Sequence, residues 1–568
     1  PDKAVIGWLR RGAPAGIEAQ PEQCGIFPAA EEPPSGEFEL SYAAAGHRNY
    51  QTMETSPHGY EVLMKIVDSG YVTKYDSLAA AMKGCQGKEL VLSKIALITS
   101  TTKQGTLKHR LILDCRVSGS NSATRKWERI LLPKVSDVLA DSMLLKALHE
   151  NDDATITFYV CDFSDAFFAV PLNPAERRYF AAEYGGKFFV WNRVTQGSLD
   201  GPTLYGRLAA LVGRLTQSLL SPDEARLHIY VDDPILIICA SPERTNHIIA
   251  LVSFAWMVMG FGLAFHKAQR GRQVDWVGYT VTDTKAGTRI QIKADFLDDL
   301  RNETAKLLKN NIIGAKTLRS YAGCVNHVAN LLFVWRPFLD ALWAASARSS
   351  DPNHKTNAPS GTIWTEQVRT TLQWIWWFLE LENGPLHREW TIAHYFDTAA
   401  SMWMVLDASP WALGGILVIG GIPVAIFHSP LSTEDETIHG FKRGDHRGQQ
   451  CWECLTVLVA ITAWYNQWRT RRLTVCIKSD SKSALALAER LKAGPSAKII
   501  AQELALIYHW ASFEPKIEHV PGVANQLADA LSRMNDPNKP KALPPILEKV
   551  PFTMIPTRYR SYYWTLAA

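Results

Sequence analysis

Cysteine is sparse and unpaired in this 568-residue chain: nine residues, an odd number, scattered and mostly set inside apolar runs. That pattern argues against a disulfide framework and points to reduced, buried thiols in an intracellular setting. Cys451 and Cys454 form a lone Cys-x-x-Cys with no second pair at zinc-ligand spacing, and they read as core residues of a helix. His428, His439 and His446 share one polar stretch without a cysteine or a regular spacing, and are expected to be solvated. An excess of one charge is also missing. Lys and Arg exceed Asp and Glu by only four, so whole-chain electrostatics specify no polyanionic partner. Long apolar runs are absent but for residues 248–265, which hold 18 uncharged residues. This run contains Gly260 and Gly262 and ends just before Lys267, so it reads as a buried helix followed by a strand, with no membrane partner. No charged-then-apolar leader follows the initial Pro1, and a piece of a longer polyprotein is expected.

What is present is an apolar fraction of 47% with 20% charged residues, the composition of a soluble globular protein long enough for three or four domains. Positive charge is concentrated locally. Lys103, Lys108, Arg110, Arg116, Arg125, Lys126, Arg129 and Lys134 face only Asp114 and Glu128 between residues 103 and 134. Such a surface attracts phosphate backbones, although a solvated charged face has the same composition.

Two acidic segments stand out against this background. Residues 228–240, HIYVDDPILIICA, place Asp232, Asp233 and Pro234 between two β-prone apolar runs, the signature of a hairpin with carboxylates at its tip. Asp-Asp-Pro is equally good turn chemistry, but adjacent like charges repel and favour a site where a divalent cation neutralises them. Residues 157–172, TFYVCDFSDAFFAVPL, put Asp162 at the end of a second apolar run with Asp165 close behind. Two strands can then supply one metal site.

Tyr-Val-Asp-Asp at residues 230–233 and Asp-x-x-Asp-Ala-Phe at residues 162–167 resemble the two metal-binding motifs of reverse transcriptases. The resemblance implies a right-hand polymerase of fingers, palm and thumb. Residues 90–100 and 109–116 read as two strands joined by a basic turn, the fingers of that family. There Arg110 matches the triphosphate-binding arginine, and Lys103 its lysine partner; a guanidinium grips phosphate through two bonds at once. Phe167 matches the aromatic that excludes a 2′-hydroxyl, although a phenylalanine in this setting is otherwise a core residue. Gln196 and Gly197 match the Gln-Gly beside the nascent base pair, with Gly201 before Pro202 where many relatives carry serine. Lys267 matches the lysine near the leaving pyrophosphate, and Trp276 and Gly278 lie in a primer-grip-like hairpin, VDWVGYTV. Pro234 departs from the family, since it removes a backbone donor directly after the paired acids.

A second acid set follows. Asp407 and Asp480 each end an apolar, strand-like run; Glu453 lies on a helix in a stripe with Gln449 and Thr456, which would equally suit a solvated face; and Asp529 opens a helix ten residues after His519. The spread resembles ribonuclease H, which implies metal binding by Asp407, Glu453, Asp480 and Asp529 and proton transfer or product release by His519. Trp364, Trp374, Trp376 and Trp377 offer base stacking or, more simply, aromatic core.

The expected fold class is α+β and α/β multidomain: a right-hand polymerase followed by a connection and an RNase H-like α/β domain. Its expected divisions are an N-terminal extension (1–85), fingers and palm (86–290), thumb and connection (291–394, linker near 352–361), RNase H (395–535) and a tail (536–568). The extension has no readable role, while residues 558–564 mix basic and aromatic side chains as nucleic-acid binders do. The implied metal sites are Asp162, Asp232 and Asp233 for polymerisation and the second acid set for hydrolysis, each with two Mg²⁺, Mn²⁺ being able to substitute. Implied partners are an RNA template, a DNA primer strand, the RNA·DNA hybrid and deoxynucleoside triphosphates, in a cytoplasmic particle or the nucleus. The motif order resembles gypsy-type LTR or DIRS-type retrotransposons, with a pararetroviral enzyme as a further alternative. A non-catalytic nucleic-acid scaffold of the same descent is the rival from another class; such a chain need not keep its acids, and all seven are present. Oligomeric state is not written in the sequence.

Overall fold

In a computed structural model the chain is described over residues 2–30, 39–42, 48–101, 105, 107–149, 155–348, 358–380, 384–396, 402–467, 473–492, 494–510 and 513–567. Its mixed helices and strands divide into two compact units, Pro1–Val277 with Val281–Lys285 and Gly278–Thr280 with Ala286–Ala568.

In the first unit, strands β1 (Lys94–Thr101) and β2 (Leu107–Asp114) form the expected basic hairpin, in register from Lys94 opposite Asp114 to Thr101 opposite Leu107. The sheet expected to be the palm is built from β3 (Thr157–Val160), β4 (Ala225–Tyr230), β5 (Asp233–Ile238) and β6 (Gln269–Gly271) in the order β6-β3-β5-β4, all antiparallel. Strand β5 is central, and Ile235 to Ile238 are fully buried on both faces, which is why its sequence is a continuous apolar run rather than an alternating one. Helix α1 (Gly201–Gln217) packs behind the sheet.

Residues 242–258 form helix α2 (Pro242–Val258), followed by a short strand as expected, but the helix is not buried all round. Phe254, Met257 and Val258 are exposed on one side while Ile248, Val252 and Trp256 enter the core. No helix among the described residues is long and apolar enough to cross a membrane.

The N-terminal stretch is bound into this unit by buried charge. Glu176 has no exposed surface and accepts hydrogen bonds from the backbone N–H groups of Ala15 (2.7 Å), Ile17 (3.0 Å), Glu18 (2.8 Å) and Ala19 (3.2 Å). Arg207 donates to Asp2 at 2.7 Å, reaches Glu128 at 3.3 Å, and stacks 4.3 Å from the Trp8 ring.

The second unit opens with helices α3 (Ala294–Lys309), α4 (Ala315–Leu331), α5 (Arg336–Arg348) and α6 (Arg369–Leu379). Trp374 and Trp377 are half-buried in a ring cluster with Phe338 and Phe378, so this run is aromatic packing; Trp364 is separately exposed. The 352–361 linker lies largely outside the described residues. A five-stranded sheet then forms from β7 (Met402–Ala408), β8 (Ala412–Ile419), β9 (Ile422–Pro430), β10 (Leu473–Ser479) and β11 (Phe513–His519), ordered β9-β8-β7-β10-β11. The first three are an antiparallel meander turning at Gly420 and Gly421, whose φ of 59° and 85° suit a tight turn; β7, β10 and β11 are parallel. Helix α7 (Thr433–His439) precedes helix α8 (Gln449–Ala463), whose residues Cys451 to Ile461 are all buried, Cys451 and Cys454 included.

One sequence expectation fails here. Of the three histidines only His446 is solvated; His428 sits on β9 with Nδ1 2.7 Å from the Leu531 carbonyl oxygen, and His439 is buried, its pKa pushed down to about 4 by burial. The basic-aromatic stretch 558–564 divides between core and surface, Tyr559, Arg560 and Trp564 being exposed. Arg558 is buried against Asp435, donating at 2.8 and 2.7 Å, and Tyr563 is fully buried.

Replacing Glu176 by Ala would leave inward-facing N–H groups without an acceptor. The expected result is a loss of about 2–4 kcal/mol in unfolding free energy and faster protease cleavage within residues 12–30. Unchanged denaturant midpoints and cleavage rates would show that the segment is held otherwise.

Candidate functional site

In the palm, β4 and β5 meet in a two-residue turn, with Tyr230 opposite Asp233. Val231 takes a left-handed φ of 54°, a costly conformation for a β-branched residue, and so carries Asp232 to the tip. The Phe163 N–H donates to the Asp232 carbonyl at 2.9 Å and the Ala264 N–H to the Asp162 carbonyl at 3.0 Å, tying together the three segments that hold Asp162, Asp232 and Lys267. Burial first, and then the charge of Asp162, raise the Asp232 pKa. Lys267 forms an ion pair with Asp162. Trp276, buried, donates its indole N–H to the Asp233 carbonyl at 2.9 Å, while Pro234 keeps its carbonyl engaged by the Cys161 N–H at 3.3 Å. With Asp162 turned to Lys267, Asp162, Asp232 and Asp233 do not form a three-carboxylate cluster within 4.8 Å; among the described residues the second unit alone has one.

Arg110 is exposed on β2, and Lys103 lies outside the described residues. Lys108, two residues from Arg110 on the same face of the strand, senses the palm: burial first, then the charges of Arg110 and Lys267, lower its pKa against the opposing pull of Asp162 and Asp165. In the sequence Lys108 is only one member of the basic surface, because nothing local distinguishes it from its neighbours. Phe167 is half-buried on the turn Ala166–Ala169, its ring 5.6 Å from that of Tyr205. Gln196 is exposed. Gly197 has φ 112°, and a Cβ there would lie 2.0 Å from the Leu113 carbonyl oxygen, so only glycine fits. Asn121, which no local sequence pattern marks, donates to the Gly197 carbonyl and accepts from the Leu199 N–H, both at 2.9 Å. A 540 Å³ cavity lies between Tyr50, Ile98, Ile112, Asp114, Arg116 and Gly197. In the second unit Gly278, φ 82°, packs so closely on His327 that a Cβ would come within 2.7 Å of Nε2.

The acids of the second unit converge. Carboxylate oxygens of Asp407 on β7, Glu453 on α8 and Asp480 at the end of β10 lie within 4.8 Å of one another. The helix stripe holding Glu453 is no solvated face: Glu453 is 8% and Asp407 5% exposed. Burial, reinforced by Asp480 and Asp529, pushes Asp407 up to about 7. Burial and the charge of Asp407 push Glu453 well above the carboxylate range. Gln449 donates to the Ala408 carbonyl at 2.6 Å and to Glu453 at 2.8 Å, holding the glutamate toward the strand. Helix α9 (Gln526–Ser532) reaches this sheet because Gly414 has no side chain; a Cβ there would meet the Ser532 nitrogen at 2.5 Å. The Ser532 hydroxyl then donates to Asp407 at 2.6 Å. Asp529 stands apart from the three: despite burial, Arg533 (2.6 Å) and Lys541 hold its pKa low. His519 is exposed, with Nε2 3.2 Å from the Asp480 carbonyl oxygen. Desolvated, mutually repelling carboxyls of this kind fit a divalent cation, whose charge would remove the penalty that protons now relieve.

Asp407 binds its proton more tightly folded than unfolded, so the stability it contributes is present near pH 4 and lost as pH rises to about 7. Without metal, the native protein should therefore lose stability relative to Asp407→Asn across that interval, by up to about 4 kcal/mol. Adding Mg²⁺ or Mn²⁺ at neutral pH should restore it in the native chain alone. Parallel pH profiles of Tm for the two proteins would refute this.

Residues 102–281 match the family described as reverse transcriptase (RNA-dependent DNA polymerase). The Gag-Pro-Pol polyprotein of squirrel monkey retrovirus is 31% identical over 157 residues, 26% of this chain; the chain spans only 8% of that polyprotein. Among solved structures, the foamy viral protease-reverse transcriptase dRH in complex with double-stranded DNA aligns at 18% identity with a TM-score of 0.45, covering 86% of this chain and 74% of that one. The foamy viral protease-reverse transcriptase with an RNA/DNA hybrid aligns at 16% and 0.43, covering 89% and 58%. The similarity to reverse transcriptases is thus carried by residues 102–281.

Proposed function

We propose that the chain copies an RNA template into DNA at the palm and cleaves the RNA strand of the resulting RNA·DNA hybrid at the second acid cluster, in the replication of a gypsy-type LTR or DIRS-type retrotransposon. The observation that carries this reading is that each unit builds its own acidic site: Asp162 and Asp232 joined across two palm segments, and Asp407, Glu453 and Asp480 converging at strand ends. Two Mg²⁺ per site, or Mn²⁺ in their place, would be held by Asp162, Asp232 and Asp233 and by Asp407, Glu453, Asp480 and Asp529. There they supply the charge that acidifies the attacking oxygen and neutralises the leaving group.

The chain's own groups do the rest. Arg110 and Lys108 grip the triphosphate oxygens, and Lys103 belongs to the same basic turn. Lys267 leaves Asp162 for the departing pyrophosphate and gives it a proton. Phe167, braced by Tyr205, closes the space a 2′-hydroxyl would need. Gln196 and Gly197 let the nascent pair approach the backbone, and the turn at Trp276 and Gly278 holds the primer end. In the nuclease, Gln449 and Ser532 orient Glu453 and Asp407, and His519 carries a proton at the exposed edge. The hybrid is recognised by backbone shape and 2′-hydroxyls. The work is done in a cytoplasmic particle or the nucleus.

Primer extension on an RNA template, with template cleavage followed in the same reaction, tests both halves. Asp232→Asn should lower extension by about 10²–10³-fold or more and spare cleavage, and Glu453→Gln should do the reverse. A native chain that binds hybrid but neither extends nor cleaves would mark a scaffold. Phe167→Val should raise ribonucleotide incorporation relative to deoxynucleotide by about tenfold or more, read as the ratio of kcat/KM values; an unchanged ratio would return Phe167 to the core.

A further inference from the structure

We infer that Lys541 is a resident cation of the nuclease site, holding Asp529 until a second divalent ion competes for it. The inference rests on the nuclease reading above and adds a residue to it.

Asp529 is the one acid of the set whose two oxygens are both engaged by cations, Oδ1 by Arg533 and Oδ2 by Lys541. Arg533 is four residues on along the helix and is also paired with Asp536 at 3.4 Å, so its place is fixed twice. Lys541 arrives differently. Asp536, buried, accepts from the backbone N–H groups of Asn538 (2.8 Å) and Lys539 (3.1 Å), turning the chain back after the helix. The Lys541 N–H then donates to the Arg533 carbonyl at 3.2 Å, and Leu543 and Leu547 pack with Leu531 beneath. The loop is thus anchored on both sides of Lys541, which places its ammonium on Asp529.

Positive charge is therefore unevenly shared. Among the described residues, Asp407, Glu453 and Asp480 converge with no lysine or arginine ion-paired to them, while Asp529 has two such partners. Its lysine is the one able to leave: Lys541 is 47% exposed, bears its charge on a flexible four-carbon stem, and among the described residues pairs with Asp529 alone. Asp529 can turn toward the other acids only as Lys541 releases it, so the affinity of the second ion is set in part by an ion-pair exchange outside the first three ligands.

Calorimetric titration of Mn²⁺ into the full chain, with the palm silenced by Asp232→Asn and Asp233→Asn, tests this. Lys541→Gln should tighten the weaker binding event about two- to fivefold, leave the tighter one unchanged, and have no effect when Asp529→Asn is also present. Near-ultraviolet circular dichroism confirms that the exposed substitution leaves the fold intact. Equal Mn²⁺ affinity in the native chain and Lys541→Gln, or a gain that persists with Asp529→Asn, overturns the role of Lys541 while loss of binding in Glu453→Gln upholds the nuclease reading. If Glu453→Gln changes neither event, that reading fails and the inference with it.

Discussion

Carboxylates placed at the ends of strands are the constraint around which both units are arranged. Bringing such groups together costs free energy, and each unit meets that cost with its own local devices. In the palm a lysine pairs with one acid and a strained valine carries the next to the tip of a tight turn. In the second unit a serine hydroxyl and a glutamine amide hold two acids whose charges are partly suppressed by protons. In the second unit three converging carboxyls are left short of positive charge, the condition in which a divalent ion binds best.

Much of this was legible in the sequence for a simple reason. Aspartate is a poor strand former, so an apolar run that ends in one, twice in each half of the chain, stands out from ordinary core. The hairpin tip at Asp232, the strand ends at Asp407 and Asp480, and the helix start at Asp529 all lie where the alternation of apolar runs and breakers put them. Gly197 and Gly278 have left-handed backbones, as glycine permits.

What could not be read depends on partners far along the chain. Glu453 has the spacing of a solvated stripe, and only the packing of helix α8 between the sheet and its neighbouring helices shows that the stripe is buried. Arg558 looks like a nucleic-acid contact until Asp435, 123 residues earlier, is found beside it. His439 and Glu176 mislead or stay silent in the same way, since burial is a property of the assembled fold rather than of local composition. Lys108 and Asn121 carry no local mark at all; their importance comes from what the β2 strand and the Gly197 turn bring near them.

The Asp435–Arg558 pair also bears on how the protein is made. An arginine buried against an aspartate cannot be replaced by water at little cost, so the sheet that carries Asp407 is unfinished until residue 558 has been synthesised and delivered back to helix α7. The first unit needs no such wait, because Asp2 and Glu176 find their partners within its own residues. On the ribosome the palm can therefore close first, and the converging carboxylates of the second unit come together only near the end of translation of this stretch.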